Sequence, residues 1–372
     1  MKKLSTLIIA LALMFSLVAP NSAQAVYELK IQTSLANSSM YYKTLERLKK
    51  YIETLSQGEI KVELFADGAV VKSFEIFDAV SQGIVTGGQC WTHWASGKHP
   101  AGTLFSAPVG GLGIGLDQSG VLAWMWEGQG MALLNEYYQK IIKVNIKAYP
   151  ALPMGPEAFG WFHKKYTTFA EFNKLKFRCP PGVPAEVFKE MGMPVVSMSG
   201  VDIIPAAQRG VIDAAEWIGP GEDIALGFAD VWKHFYLQGM HQAISIGDVY
   251  VNLDWYNKLP KHLQSVIDIS MKATVTDQLL TNVSVNSQAL ETLVRKENVV
   301  IEETPLEYYP IYMKAARKVL EKYMSDPFFK KVYDSQLAWA KMTVPYQLRS
   351  NGLYYNIGKA AMDAGIITDY KK

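Results

Sequence analysis

What most constrains this chain is how its apolar period switches between 26 and 83. In "VYELKIQTSL" (26–35), Tyr27, Leu29, Ile31, Thr33 and Leu35 alternate onto one face, the pattern of a strand. Ser38 and Ser39 are placed to cap a helix in which Tyr41, Leu45, Leu48, Ile52 and Leu55 recur at spacings of four and three. Gly58 ends that helix, "KVELF" (61–65) reads as a second strand, and "SFEIFDAVSQG" (73–83) as a short helix closing on glycine. Strand–helix–strand–helix order implies a mainly parallel sheet with helices on its faces, so the fold class is α/β.

The stretch 87–115 changes character, being rich in glycine and carrying Trp91, His93, Trp94, His99 and Phe105. A helix is expected at 121–140, "VLAWMWEGQGMALLNEYYQK", and the Pro/Gly-rich "PALPMGPEAFGWF" (150–162) reads as a first crossing between two lobes. The length agrees, at about 100–200 residues per domain. Lobe I is expected over 26–150, with part of the C-terminal region returning to it, and lobe II over 151–250. Lobe II would contain "FNKLKFRCPPG" (172–182), a helix near 184–191, "MPVVSMS" (193–199) and "RGVIDAAEWIGPGED" (209–223). "HQAISIGDVYVNL" (241–253) reads as the strand leading back. The remainder, 251–372, reads as a crossing segment and a C-terminal helical region, with helices at about 260–295, 305–324 and 326–343.

Residues 1–25 stand outside this scheme. Lys2 and Lys3, the apolar "LSTLIIALALMFSLVA" (4–19) and the small-x-small Ala23-Gln24-Ala25 follow the order of a signal peptide. The chain is therefore expected to be exported, with a soluble mature form starting near Val26 and no lipid anchor, since no cysteine lies at the cleavage region. No later segment reaches the roughly 18 uninterrupted apolar residues of a spanning helix. Formal charge is +2, and removing Lys2 and Lys3 leaves about zero, which gives no reason to expect nucleic acid or an anionic membrane as partner. Cys90 and Cys179 are the two cysteines; a single bridge and two free thiols both remain open.

No H-E-x-x-H, P-loop or G-x-S-x-G occurs, "GGLGIG" (110–115) reads as a loop, and the six histidines show no metal-ligand spacing. Arg178 ends a short strand and precedes the rigid Cys179-Pro180-Pro181-Gly182. Open α/β sheets bind ligands beyond the carboxyl ends of their strands, where a guanidinium can grip a carboxylate with two parallel hydrogen bonds. A surface ion pair is the other reading. Glu216, set between Ala215 and Trp217, is either a surface carboxylate at a strand end or a ligand. If the chain leaves the sheet at Gly219-Pro220-Gly221, the Trp217 carbonyl loses its ladder partner and becomes available as a hard oxygen ligand. His93, beside Trp91 and Trp94, either lines a pocket or is a structural histidine.

Three stretches together resemble a known family. "NKLKFRCPPG" (173–182), "GMPVVSMSGVDIIPAAQRGVIDAAEW" (192–217) and "FKKVYDSQLAWAKMTVPYQLRS" (329–350) are similar to the extracytoplasmic solute-binding proteins of tripartite ATP-independent periplasmic (TRAP) transporters. The resemblance extends to their branch for 2-oxo and 2-hydroxy monocarboxylates and covers essentially the whole chain after the signal. It implies a two-lobed periplasmic clamshell with long C-terminal helices, the last able to swap between partners in a homodimer. It further implies that Arg178 pairs with a solute carboxylate, and that Glu216 and the Trp217 carbonyl hold Ca2+ or Na+. Two more ion ligands align with Glu157, where the branch usually has glutamine, and with Gln242, where it usually has glutamate. A carboxylate and an amide have exchanged places, leaving the number of negative ligands unchanged. Trp217, Trp94 and His93 would shape the apolar part of the cleft, and TRAP membrane subunits in the periplasmic face of the membrane would receive the closed form. The rival readings are a receptor for an ATP-driven transporter, a secreted hydrolase using Glu157 and Glu216, and a purely structural secreted protein.

Overall fold

Two sheets, each with its own helices, divide the chain in a computed structural model that describes residues 26–370. The export signal read at 1–25 lies outside the described residues. The strands are β1 (Tyr27–Thr33), β2 (Ile60–Phe65), β3 (Gly87–Cys90), β4 (Ile146–Pro153), β5 (Gly160–Phe162) and β6 (Phe177–Arg178). They continue with β7 (Val195–Val196), β8 (Ala214–Ala215), β9 (His234–Tyr236), β10 (Ile246–Asn252) and β11 (Val300–Glu302).

The first sheet has the order β2-β1-β3-β10-β4. β1 pairs parallel with β2 and β3, whereas β10 runs antiparallel to both β3 and β4. Leu29 and Ile31 on β1 are fully buried, as their alternation requires. Helix α1 (Met40–Leu55) starts where Ser39 accepts a hydrogen bond from Tyr41 N, and it buries Tyr41, Leu45, Leu48 and Ile52 against the sheet. Leu55, at its last turn, is exposed.

The second sheet has the order β11-β9-β5-β8-β6-β7. β6 is parallel to its neighbours β7 and β8, and β5 is antiparallel to β8 and β9. Its core is aromatic: Trp161 stacks on Phe235 with centroids 4.1 Å apart, beside Phe228 and Trp232. Around it lie α2 (Val183–Glu190), α3 (Gly200–Gln208) and α4 (Pro220–Ala225).

Two extended segments join the sheets and bond to each other. Met154 N and Gly155 N donate to Ser245 O at 2.7 and 3.3 Å, and Glu157 N donates to Gln242 O at 3.1 Å. The Gln118 side chain pins both, its Oε1 accepting from Gly155 N and Ser245 N at 3.1 Å each. Helix α5 (Lys261–Arg295) crosses both lobes: Asp277 takes Arg47 and Tyr51 of α1, and Asn286 takes Gly221 N of α4. Helices α6 (Tyr308–Glu321) and α7 (Pro327–Asp363) complete the chain.

Several expectations shift. The boundaries read near 150 and 250 fall inside β4 and β10, and the C-terminal region contributes β11 to the second sheet. The helix read at 121–140 is two, Gln118–Glu127 and Gly130–Glu136. A Cβ on Gly130 would lie 2.4 Å from Met125 Cα, so the glycine permits a sharp approach that a continuous helix lacks. The last helix runs to Asp363, well past 343. No helix among the described residues is long and apolar enough to cross a membrane.

Candidate functional site

β6 and β8 are parallel neighbours in which Arg178 faces Ala215, so Arg178 and Glu216 leave the sheet together at its carboxyl edge. This is where ligands enter open α/β sheets. Both side chains are almost fully buried and form an ion pair, Arg178 Nη1 to Glu216 Oε1 at 2.5 Å. The same Nη1 donates to Glu216 O at 3.1 Å, while Nε and Nη2 both donate to Met198 O at 3.2 and 2.7 Å. A guanidinium has five N–H donors. Four are engaged here, leaving one Nη2 hydrogen rather than the two-pronged fork expected from the sequence. The reason is electrostatic: the buried Glu216 carboxylate already neutralises the guanidinium.

The two crossing segments bring further groups to this edge. Glu157 and Gln242 are both buried, on the hinge pair whose backbones bond each other. His241 is fully buried, its Nε2 standing 3.4 Å from Glu216 Oε2. Glu157, Glu216 and His241 can each offer a ligand atom within 4.8 Å of the others. Burial, reinforced by the Glu216 charge, holds the Glu157 carboxyl well above the ordinary carboxylate range. Glu157 is thus held neutral beside the balanced Arg178–Glu216 pair, and its ionisation would need a further positive charge. Among the described residues no hydrogen bond reaches the Trp217 carbonyl oxygen, because the chain turns out of the sheet there. Asp223 fixes that turn, accepting from Ile218 N, Gly219 N and Trp161 Nε1 at 3.1, 3.0 and 2.7 Å. Two carboxylates and an imidazole whose ligand atoms lie within 4.8 Å of one another are a donor set that fits a cation, and Gln242 and Trp217 line the same cavity.

Between the lobes lies a cavity of about 120 Å³. Arg178, Glu157, Glu216, Trp217, Gln242, His93 and Trp94 all line it, so residues from five separate stretches meet. Trp94 packs between Phe74 and Trp91, with centroids 4.8 Å from each. His93 is buried with Nδ1 2.7 Å from Ser106 Oγ, and burial pulls its pKa down to about 3, so the ring is neutral. The Arg178 guanidinium lies 5.0 Å from the centre of the Trp217 ring. Across the mouth, Ser39 Oγ and Met40 N of lobe I donate to Glu222 Oε1 of lobe II at 3.1 and 2.8 Å. Cys90 and Cys179 are both buried free thiols.

Sequence reasoning missed His241 and Glu222. His241 has no ligand spacing to reveal it, because its neighbours Glu216 and Glu157 come from a strand end and from the other crossing segment. Glu222 carried one signal, an acidic residue in the first turn after Gly219-Pro220.

Two lobes on a bonded double hinge, with charged groups buried at the strand ends between them, define a two-lobed solute-binding protein. Residues 31–326 match the sequence model of the bacterial extracellular solute-binding proteins, family 7 (DctP), and the chain belongs to that family, the solute-binding proteins of TRAP transporters. The monocarboxylate 2-oxoacid-binding periplasmic protein of Nostoc sp. (strain PCC 7120) is 29% identical over 331 residues, covering 88% of this chain and 87% of its own. A TRAP solute-binding protein from Bordetella bronchiseptica, a dimer with calcium and picolinate in one active site, superposes with a TM-score of 0.84 at 26% identity. That likeness covers 92% of this chain and 99% of the other. One from Pseudoalteromonas atlantica, with sodium and pyruvate, gives 0.81 at 23% identity over 89% and 99%. These are transport proteins and not enzymes, which sets aside the hydrolase reading of Glu157 and Glu216.

Proposed function

We propose that this chain captures a small monocarboxylate, a 2-oxo or 2-hydroxy acid, in the periplasm and presents it to TRAP membrane subunits. The observation that carries the reading is the buried meeting of Arg178 and Glu216, at the strand ends, with Glu157 and His241 from the crossing segments. Arg178 supplies charge and its remaining Nη2 hydrogen to the solute carboxylate. Glu157, Glu216, the Trp217 carbonyl and Gln242 would hold Ca2+ or Na+, whose positive charge serves a second solute oxygen. His241, against Glu216 Oε2, orients that carboxylate. Trp91, Trp94 and Phe74 keep water from one wall of the cleft. The names of the relatives support this class of solute and ion: a 2-oxoacid binder, and neighbours holding calcium or sodium with picolinate or pyruvate. A cavity of about 120 Å³ suits a small acid better than the drug-sized ligands of ~300–1,000 Å³ pockets.

Export through the signal at 1–25, with cleavage near Ala25, belongs to the same reading. So does a homodimer through α7, whose outer half exposes Tyr346, Leu353, Tyr354, Tyr355 and Ile357. The test is a thermal-shift panel of small carboxylates, each with and without calcium. A bound solute raises apparent stability by its concentration over its dissociation constant. Pyruvate, lactate or a longer 2-oxo acid is expected to give the largest shift. The reading fails if these give none while another solute class does.

A further inference from the structure

The charged groups of the cleft gather at the strand ends and crossing segments, and its jaws are of a different kind. Phe74 and Trp94 line it from lobe I, and Met198, Val201, Trp217 and Leu226 from lobe II. All of these carry accessible surface: Phe74 is 56% and Val201 67% exposed, and the others are half-buried. Apolar surface left open on both sides of one cleft is a wall for a ligand and not part of the core.

Local contacts build that wall beside the carboxylate end. Met198 O accepts from Arg178 Nε and Nη2, which sets the start of α3 next to the guanidinium. Gly200 then lets the Trp217 ring lie along α3, since a Cβ there would come within 2.6 Å of Trp217 Cη2. Opposite, Phe74 packs on Trp94 with centroids 4.8 Å apart. The hydroxyls among these side chains are already in use: Ser34 donates to Gln89, Ser39 to Glu222, Ser73 to Asp67 and Ser199 to Asp202. Away from the charged groups, the cleft thus offers a solute apolar contact.

In the function proposed above, on which this inference rests, the solute carboxylate is taken by Arg178 and a second oxygen by the ion. Pyruvate then has a single methyl to place against the jaws. The cavity of about 120 Å³ approaches the about 150 Å³ in which a benzene ring is held, so pyruvate fills it incompletely and a branched acid has room. We propose that Phe74 and Trp94 on one side, with Met198, Val201, Trp217 and Leu226 on the other, form a subsite for a bulky apolar substituent, so that the protein prefers branched-chain 2-oxo acids to pyruvate. Closing on such a substituent takes the open Phe74 and Val201 surface out of water, which pyruvate cannot do to the same extent.

Calorimetric titration of the intact protein, with calcium and sodium present, compares pyruvate, 4-methyl-2-oxopentanoate and 2-oxopentanedioate. The last matches the second in chain length but ends in a carboxylate. The wild type is expected to bind the branched acid about tenfold tighter than pyruvate or more, and the dicarboxylate more weakly than the branched acid. In Phe74→Ala and Val201→Ser, both at exposed positions, the ratio of branched acid to pyruvate is expected to fall several-fold, whereas a merely structural change would lower both affinities together. Pyruvate or the dicarboxylate bound as tightly as the branched acid overturns the proposal, as does a ratio unchanged in both variants, and each leaves the functional reading in place. The wild-type ratio needs no variant, so poor folding of a variant does not remove the test. Binding of none of the three acids, with binding of another solute class, overturns the functional reading and the proposal with it.

Discussion

Arg178 does two jobs that substitution will separate. Its guanidinium neutralises Glu216 and ties Met198 O to the strand ends, as well as facing the cavity. Removing one partner of a buried ion pair costs about 3–5 kcal/mol, since the other charge is left unpaired. Arg178→Ala is therefore expected to abolish solute binding and also to lower the melting temperature. Arg178→Lys keeps the charge without the planar fork and should lose less stability than affinity, as read by calorimetry beside thermal unfolding. Equal losses in both readouts would contradict this. Asp248 gives an independent test in the lobe I core. It is fully buried, its Oδ2 accepts from Thr92 N at 3.1 Å, and burial pushes its pKa up to about 7. The unfolded value is about 3.9. The stabilisation from its retained proton is thus complete below pH ~4 and lost as pH rises through ~7. The neighbouring Cys90 and Tyr250, also pushed up by burial, stay neutral throughout. Asp248→Asn should gain melting temperature relative to wild type between pH 5 and 8; a constant difference would refute the assignment.

At the scale of elements, α1 and α4 make a direct contact between the lobes. Glu222 places a carboxylate at the amino end of α1, accepting from Ser39 Oγ and Met40 N, where the helix dipole favours negative charge. Caps of this kind are worth about 0.5–2 kcal/mol. Glu222→Ala is expected to weaken solute binding several-fold and to enlarge the solution radius of the solute-bound protein by small-angle scattering. An unchanged affinity would remove Glu222 from closure. Helix α7 makes a second claim. Its first half is anchored on lobe I through Trp124–Ser335, Gln336–Leu104 and Trp339–Gly120 hydrogen bonds, while its second half shows apolar side chains outward. Deleting residues after 343 should convert a dimer to a monomer in light scattering. A monomeric full-length chain would contradict this.

Across the whole molecule, what was legible in the sequence follows the range of the interactions. Local period placed β1, α1 and β2, because alternation and the Ser39 cap act within a few residues. Strand ends before Pro180-Pro181 and Gly219-Pro220 placed Arg178 and Glu216, and β6 beside β8 then made them neighbours. Three features were not legible: His241 against Glu216, Glu222 against α1, and β11 against β9. Each joins segments far apart in the chain, with no periodic signal on either side. The proposed ion ligands came from family resemblance and not from spacing. Glu157 and Gln242 lie on the two crossing segments, so an ion held there would be coupled to the angle between the lobes. Binding that engages both lobes favours the closed form by its differential affinity. The central claim is that a 2-oxo acid is held by Arg178 together with an ion at Glu157 and Glu216. Its most direct measurement is the calorimetric titration of pyruvate into cation-stripped protein, and into protein restored with calcium or with sodium. The account predicts weak or absent binding when stripped, restored by at least one cation and lost again in Arg178→Lys. Equal affinity with and without added cation, or undiminished affinity in Arg178→Lys, would contradict it.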